Sequence, residues 1–182
     1  MRETIHKNNP EFEAEVCFKI LVTPLGEMLA VSDGKGICLL EFPEKLKLEK
    51  ELIDIAKTLK ANFVERDSEE LLLLDKELLE YFQGERKMFT VPLSFVGTTF
   101  QKSVWNTLLK IPYGSTWSYA QQTKDLGDMK KIRAVANANG QNKISILVPC
   151  HRVIGSNGKL VGYSGGVWRK QKLLELEKAI IL

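Results

Sequence analysis

The order of apolar and polar positions separates this chain into a strand-rich opening, a helical middle and a second half of short helices. From Glu15 to Phe42, β-rich runs "EVCFKILV", "EMLAV" and "ICLLEF" are divided by the turn signals "TPLG" and "SDGKG", which predicts three short antiparallel strands. Two helical patterns follow, "EKLKLEKELIDIAKTLKA" and "SEELLLLDKELLEYFQG", with leucine and isoleucine recurring at three- and four-residue spacing and Gly84 closing the second. The segment "ERKMFTVPLSFVG" then reads as an extended linker.

Beyond Gly97 the helices announce their own starts. Thr98 and Gln101 have capping-box spacing ahead of "FQKSVWNTLLKI", where Phe100, Val104 and Leu108 share a face and Pro112 ends the run. Ser118 with Gln121 repeats the device before "YAQQTKDL"; Gly127 breaks that helix, Asp128 caps "MKKIRAVANAN" and Gly140 stops it. Two short helices about a glycine turn predict a helix-turn-helix. In its second helix Ile132, Val135 and Ala136 are expected to pack inward, leaving Lys130, Lys131 and Arg133 for phosphates or a groove. The small residues Ala134, Ala136, Ala138 and Gly140 would allow close backbone approach.

The resulting fold class is α/β (α+β) in two domains, 1–96 and 97–182. Charge sharpens that division. The net +3 combines 13 basic and 19 acidic residues before Gly97 with 13 basic and 4 acidic from Gly97 onward, or −6 against +9. A basic C-terminal half makes nucleic acid the leading partner. With 44% hydrophobic and 27% charged residues the composition is ordinary for a globular protein. No apolar run approaches the about 18 residues that span a bilayer, and the N-terminal sequence has no signal-peptide apolar core, so an intracellular, cytoplasmic protein without membrane association is expected. Three widely spaced cysteines fit reduced thiols.

Chemistry concentrates in "ILVPCHRVIGSNG". The run "ISILVPC" reads as a buried strand delivering Cys150 to a strand end, with His151 next in sequence. Cys150 is a nucleophile, a metal ligand or a small buried hydrophobe; Cys17 and Cys38, inside strand patterns, read as inert hydrophobes. The cysteines with His6 and His151 show no CxxC or HxxxH spacing, which argues against zinc. Neighbouring side chains diverge, so His151 would reach the thiol through one bridging water. In the C-terminal helical pattern Glu177 falls on the stripe of Leu173, Leu174, Ile180 and Ile181. A carboxylate facing inward needs a partner, either His151 or a lysine or arginine at the core edge.

These residues resemble the O6-alkylguanine-DNA alkyltransferases, the suicidal DNA-repair methyltransferases. The matching stretches are "PCHRVI" (149–154), "GYSGG" (162–166), "FQKSVW" (100–105), "YGSTWSY" (113–119) and "IRAVANANGQN" (132–142), with a weaker match at "TPLGEMLAV". The resemblance implies a ribonuclease H-like first domain and a winged-helix-like second. It implies that Cys150 takes the alkyl group from guanine O6, with His151, a water and Glu177 as the activating relay and Asn142 joining that network. Tyr119 would donate to the base and crowd its phosphate, and Arg133 would fill the stack left by a flipped nucleotide. Ser118, Lys130, Lys131, Ala134, Ala138 and Gly140 complete the expected DNA face, read from the minor groove. Val153, Tyr163, Ser164 and Arg152 would line the guanine pocket, Ser164 donating to the leaving oxygen. Lys143 stands where the family often has proline, and Ile132 where alanine is common.

The implied partner is double-stranded DNA containing O6-alkylguanine, with no cofactor and a monomeric protein, nucleoid-associated in a prokaryote. Acceptance of O4-alkylthymine or of larger alkyl groups depends on the pocket width set by packing of the "SNGKLVGYSGG" loop. A non-catalytic binder of alkylated DNA is the alternative, since some relatives of that type carry tryptophan at the nucleophile position; a sequence-specific helix-turn-helix regulator is a third. Cys150 favours chemistry.

Overall fold

The computed structural model describes residues 5, 9–44 and 47–180; His6, Ile181 and the Lys45 and Leu46 start of the first helical pattern lie outside the described residues. The chain divides into two compact units, Met1–Val96 and Gly97–Leu182.

In the first unit, β1 (Ala14–Thr23), β2 (Gly26–Ser32) and β3 (Ile37–Glu41) form the expected antiparallel meander. A fourth strand joins them. Helix α1 (Leu48–Leu59) ends where Lys60 turns left-handed (φ 49°), and "ANFVE" then forms β4 (Ala61–Glu65), parallel to β1, giving the order β3-β2-β1-β4. The sequence pattern assigns only Ala61, the last residue of the helical run, and leaves the other four residues of this strand without an element. Helix α2 (Glu69–Phe82) begins at Ser68, whose side chain accepts the Leu71 N–H. Val16, Phe18, Leu29, Val31, Leu39, Leu52, Ile55 and Phe63 interlock as the core between sheet and α1.

The segment expected to be a linker is instead tied down. Ile37 N–H donates to Pro92 O (2.8 Å) and Ser94 N–H to Ile37 O (2.9 Å), forming an isolated parallel bridge at the β3 edge. This close pass requires Gly36, where a Cβ would lie 2.7 Å from Pro92 O. The buried Glu77 carboxylate accepts the N–H groups of Thr90 (2.9 Å) and Val91 (3.1 Å) and pairs with Arg86.

The second unit is mostly helical. Both capping boxes form, Thr98 with Gln101 opening α3 (Thr99–Leu108) and Ser118 with Gln121 opening α4 (Tyr119–Asp125). Helix α3 stops at Leu108, ahead of Pro112. Asp128 caps a 3-10 turn, Met129–Lys131, that leads into α5 (Ile132–Asn139). Strand β5 (Trp117–Ser118) pairs in parallel with β6 (Val153–Ile154), and α6 (Val167–Leu176) closes the unit.

Helices α4 and α5 make the helix-turn-helix around Val104, Val135 and Ala138, flanked by Phe100 and Leu126. A reciprocal amide pair, Gln122 Nε2 to Asn139 Oδ1 (3.0 Å) and Asn139 Nδ2 to Gln122 Oε1 (2.6 Å), fixes their alignment inside the core. Ile132 departs from expectation and is exposed, because α5 starts only there and turns it outward. The "ISILVPC" run is buried but is no strand. It is a chain of turns, with Ile146 at φ 71°, Leu147 N–H donating to Ser145 O and Val148 N–H to Ile144 O. A left-handed β-branched residue costs about 1–2 kcal/mol, so neighbouring bonds must hold this turn.

Candidate functional site

Asn142 supplies those bonds. Its Nδ2 donates to Val148 O (2.9 Å) and Ile144 O (3.4 Å), while its Oδ1 accepts the Ile144 N–H (3.0 Å). The same Nδ2 lies 3.3 Å from Cys150 Sγ, so the residue that shapes the turn also touches the sulfur. Lys143, in place of proline, is buried within this turn.

Cys150, His151 and Arg152 form one 3-10 turn immediately before β6. Cys150 is 7% exposed and His151 is fully buried. The ring Nε2 of His151 is 2.9 Å from Glu177 Oε1. Burial pushes His151 below the ordinary histidine value against the opposing pull of Glu177, and Arg152 and Lys170 add to that depression. The imidazole is therefore neutral near pH 7. With Nε2–H donating to the carboxylate, the lone pair resides on Nδ1, which is buried and has no hydrogen-bond partner among the described residues.

Glu177 is the C-cap residue of α6, one position past the helix. The two partners weighed for it are both present, because Arg152 forks onto the same carboxylate through Nε to Oε2 (2.8 Å) and NH2 to Oε1 (3.0 Å). Burial alone would raise this carboxyl, yet His151 and then Arg152 outweigh it and hold it at about 2. Arg152 also donates to Ile111 O (2.6 Å), so it braces Glu177 from inside the fold and is not a lining residue of a base pocket. That corrects the expectation, which could not foresee that its guanidinium turns toward α6.

Tyr119 opens α4 and is half-buried; burial and negative charge at Cys150 raise its phenol, so it stays protonated at neutral pH. A Cβ on Gly162 (φ 53°) would sit 3.5 Å from Tyr119 Oη, which places the "GYSGG" loop against this hydroxyl. Val153 is fully buried, and Tyr163 and Ser164 are half-buried. On the helix-turn-helix, Lys130, Lys131, Arg133, Ala134 and Gly140 are exposed, Lys131 pairing with Asp128 (3.3 Å). Ser118 uses its hydroxyl to cap α4. Ala138 is 3% exposed and faces Val104 and Val135, so its side chain belongs to the core and not to a DNA face; its carbonyl accepts from Trp105 Nε1 (2.9 Å).

Sequence reasoning missed Lys170. Its side chain is fully buried on α6, and Nζ donates to Val153 O (2.5 Å) and Val161 O (2.8 Å). The signal was available: Lys170 precedes Leu173 and Leu174 by three and four residues, the same arithmetic that marked Glu177. Cys38 is buried as expected, whereas Cys17 is half-exposed, its sulfur 3.5 Å from Arg66 NH2. Among the described residues no group of histidine, cysteine and carboxylate side chains could hold a metal ion.

A cysteine held next to a neutral histidine and an ionised carboxylate, in a unit that also carries a helix-turn-helix, defines a cysteine-nucleophile protein built on a DNA-binding type of domain. Comparison with known proteins narrows the class. Residues 99–179 match the family model for the 6-O-methylguanine DNA methyltransferase DNA binding domain, and residues 16–95 match that family's ribonuclease-like domain. The methylated-DNA--protein-cysteine methyltransferase of Methanosarcina acetivorans is 43% identical over 161 residues, 88% of this chain and 97% of that protein. The constitutive enzyme of Bacillus subtilis is 40% identical, over 86% of this chain and 92% of its own. The structure of Mycobacterium tuberculosis OGT in complex with DNA aligns with TM-score 0.77 and 37% identity, covering 90% of this chain and 93% of that one. This chain belongs to the methylated-DNA--protein-cysteine methyltransferase family.

Proposed function

We propose that this protein repairs DNA by direct reversal, moving an alkyl group from O6 of guanine onto its own Cys150, once and irreversibly. The observation that carries this reading is the 2.9 Å contact between His151 Nε2 and the ionised Glu177 carboxylate, which calls for the proton on Nε2 and leaves Nδ1 to accept one. A water between Cys150 and Nδ1 would pass the thiol proton to the imidazole, and Glu177 would stabilise the resulting cation. The thiolate attacks the alkyl carbon, the new S–C bond replaces the C–O bond, and the electron pair leaves on guanine. Tyr119, protonated at neutral pH, donates to the departing base, with Ser164 donating at the oxygen.

An in-line approach to O6 requires the nucleotide to leave the duplex. Arg133, exposed on α5, is the side chain for the vacated stack, with Lys130 and Lys131 on phosphates and Ala134 and Gly140 permitting close approach. Binding should be weakly sequence-selective and fall as salt rises. The protein is proposed to act as a cytoplasmic monomer without cofactor, nucleoid-associated in a prokaryote.

The test is to mix the protein with duplex DNA containing O6-methylguanine and examine the Cys150 peptide by mass spectrometry. One methyl group is expected per protein. Persistence of the lesion with unmodified Cys150 in reduced, folded protein would refute the reading in favour of a non-catalytic binder.

A further inference from the structure

Glu177 follows directly on α6, where the carbonyls of the last turn outrun the donors of the helix. Those of Leu173 and Leu174 are met by the backbone N–H groups of Glu177 (3.0 Å) and Ala179 (2.9 Å). The Leu176 carbonyl, one residue before Glu177, is met by a side chain: Tyr113 Oη donates to it at 3.1 Å, from 63 residues away in sequence.

Tyr113 belongs to a turn, 112–115, closed by Ser115 N–H donating to Pro112 O (3.1 Å). Its neighbours reach for the same place. Ile111 O accepts from the Arg152 guanidinium (2.6 Å), the Tyr113 ring centre lies 5.9 Å from Arg152 Cζ, and the Gly114 N–H is directed at Glu177 Oε2 from 3.5 Å. Gly114 stands at φ 74°, and a Cβ there would come within 3.0 Å of Glu177 O. One short segment thus meets both members of the Arg152–Glu177 pair.

A phenylalanine would supply the ring face for Arg152. The hydroxyl adds the bond that sets where α6 ends, and the Glu177 side chain starts from that end. A helix terminus frays unless its carbonyls are held, and a carboxylate displaced by about 1 Å would lose its contact with His151 Nε2. Burial, and then the charge of Glu177, push the Tyr113 phenol up, so it keeps its proton through the neutral range. The other charged and titratable groups around the relay are Cys150 and Arg152 on either side of His151, Tyr119 from α4 and Lys170 on α6.

We propose that Tyr113 is a positioning residue of the proton relay: its hydroxyl holds the last carbonyl of α6 and its ring backs Arg152, so that the Glu177 carboxylate stays against His151. The inference rests on the relay reading of His151 and Glu177. Tyr113 acts on the chemical step, through Glu177, and not on the binding of DNA.

The experiment compares wild type with Tyr113→Phe, which keeps the ring and removes the donor, and Tyr113→Leu, which removes both. The first readout is the single-turnover rate of methyl transfer from an O6-methylguanine duplex at pH 7, against DNA concentration. The maximal rate should fall about fivefold in Tyr113→Phe and about twentyfold in Tyr113→Leu, with half-saturation within about twofold of wild type. The second is alkylation of the Cys150 peptide by iodoacetamide without DNA, at pH 7 and at about pH 10, well above the ordinary thiol value of about 8.5. At pH 7 the variants should lag by the same factors. At the higher pH the thiol ionises without a base, and all three proteins should react alike; a purely structural role would carry the lag to both pH values. Maximal rates within about twofold of wild type in folded Tyr113→Phe would overturn the proposal, as would a lag undiminished at the higher pH. If Tyr113→Leu does not fold, Tyr113→Phe carries both readouts. Failure of the wild type to become methylated sinks the transfer reading, whereas the iodoacetamide profile still decides whether Tyr113 acts on the thiol.

Discussion

His151 and Glu177 meet with 2.9 Å between Nε2 and Oε1, in a place from which both side chains are withdrawn from solvent. That single contact fixes which nitrogen carries the proton. It ties the end of α6 to the turn bearing Cys150.

Because His151 is pushed below its ordinary value of 6.5, it remains a proton acceptor on the acid side of neutrality. The rate of methyl transfer should stay level from pH 8 down through 6.5 and decline only below that. Single-turnover rates on an O6-methylguanine duplex across this range check the point. A decline centred above 6.5 would contradict a buried, neutral imidazole.

Glu177 carries the stability counterpart. Its folded value of about 2, against 4.5 ordinarily, means that its contribution is fully present above 4.5 and is lost as pH falls toward 2. Substitution Glu177→Gln should destabilise the fold at pH 7 by on the order of 3 kcal/mol, and the gap from wild type should shrink through that acid window. Denaturant titrations at stepped pH measure it.

Substitution Cys150→Ser should abolish methyl transfer while leaving affinity for lesion-bearing duplex within about threefold, since the exposed Lys130, Lys131 and Arg133 are untouched. Gel-shift and mass-spectrometric measurements on one preparation separate the two outcomes.

Arg133 is exposed, so Arg133→Ala should leave the melting temperature unchanged. It should slow repair of duplex DNA much more than transfer from the free base. Equal rates on both substrates would count against the finger role.

At Gly36 a Cβ would collide with the Pro92 backbone at 2.7 Å, and neither strand can retreat without breaking the Ile37–Pro92 hydrogen bond. Gly36→Ala should therefore cost about 1–3 kcal/mol, read as a lower melting temperature, with little change in transfer at low temperature.

What could be read in advance follows physical range. Thr98 with Gln101 and Ser118 with Gln121 satisfy their helix ends within three residues, so both α3 and α4 were legible from their first turns. Cys150 and His151 were also legible by adjacency and resemblance, Glu177 by its stripe position and Asn142 by resemblance alone. Partner choice was not. Arg152 turning onto Glu177, Lys170 reaching Val153 and Val161, and Ala138 facing Val104 depend on elements far apart in sequence. Strand β4 escaped for another reason: five alternating residues directly after a twelve-residue helix give too short a signal to reset the period. The turns at 144–149 were hidden because side-chain bonds from Asn142 replace the ladder partners that an apolar run suggests.

The shared use of Glu177 by His151 and Arg152 bears on how such a protein can change over evolutionary time. Drift at position 177 removes proton handling and an internal brace together, so selection sees it twice. Position 150 is different, since its sulfur meets the Asn142 amide through a weak contact and carries the reactivity itself. Descent from repair protein to silent damage sensor is thus a short step through the nucleophile, and the carboxylate would outlive the chemistry it once served.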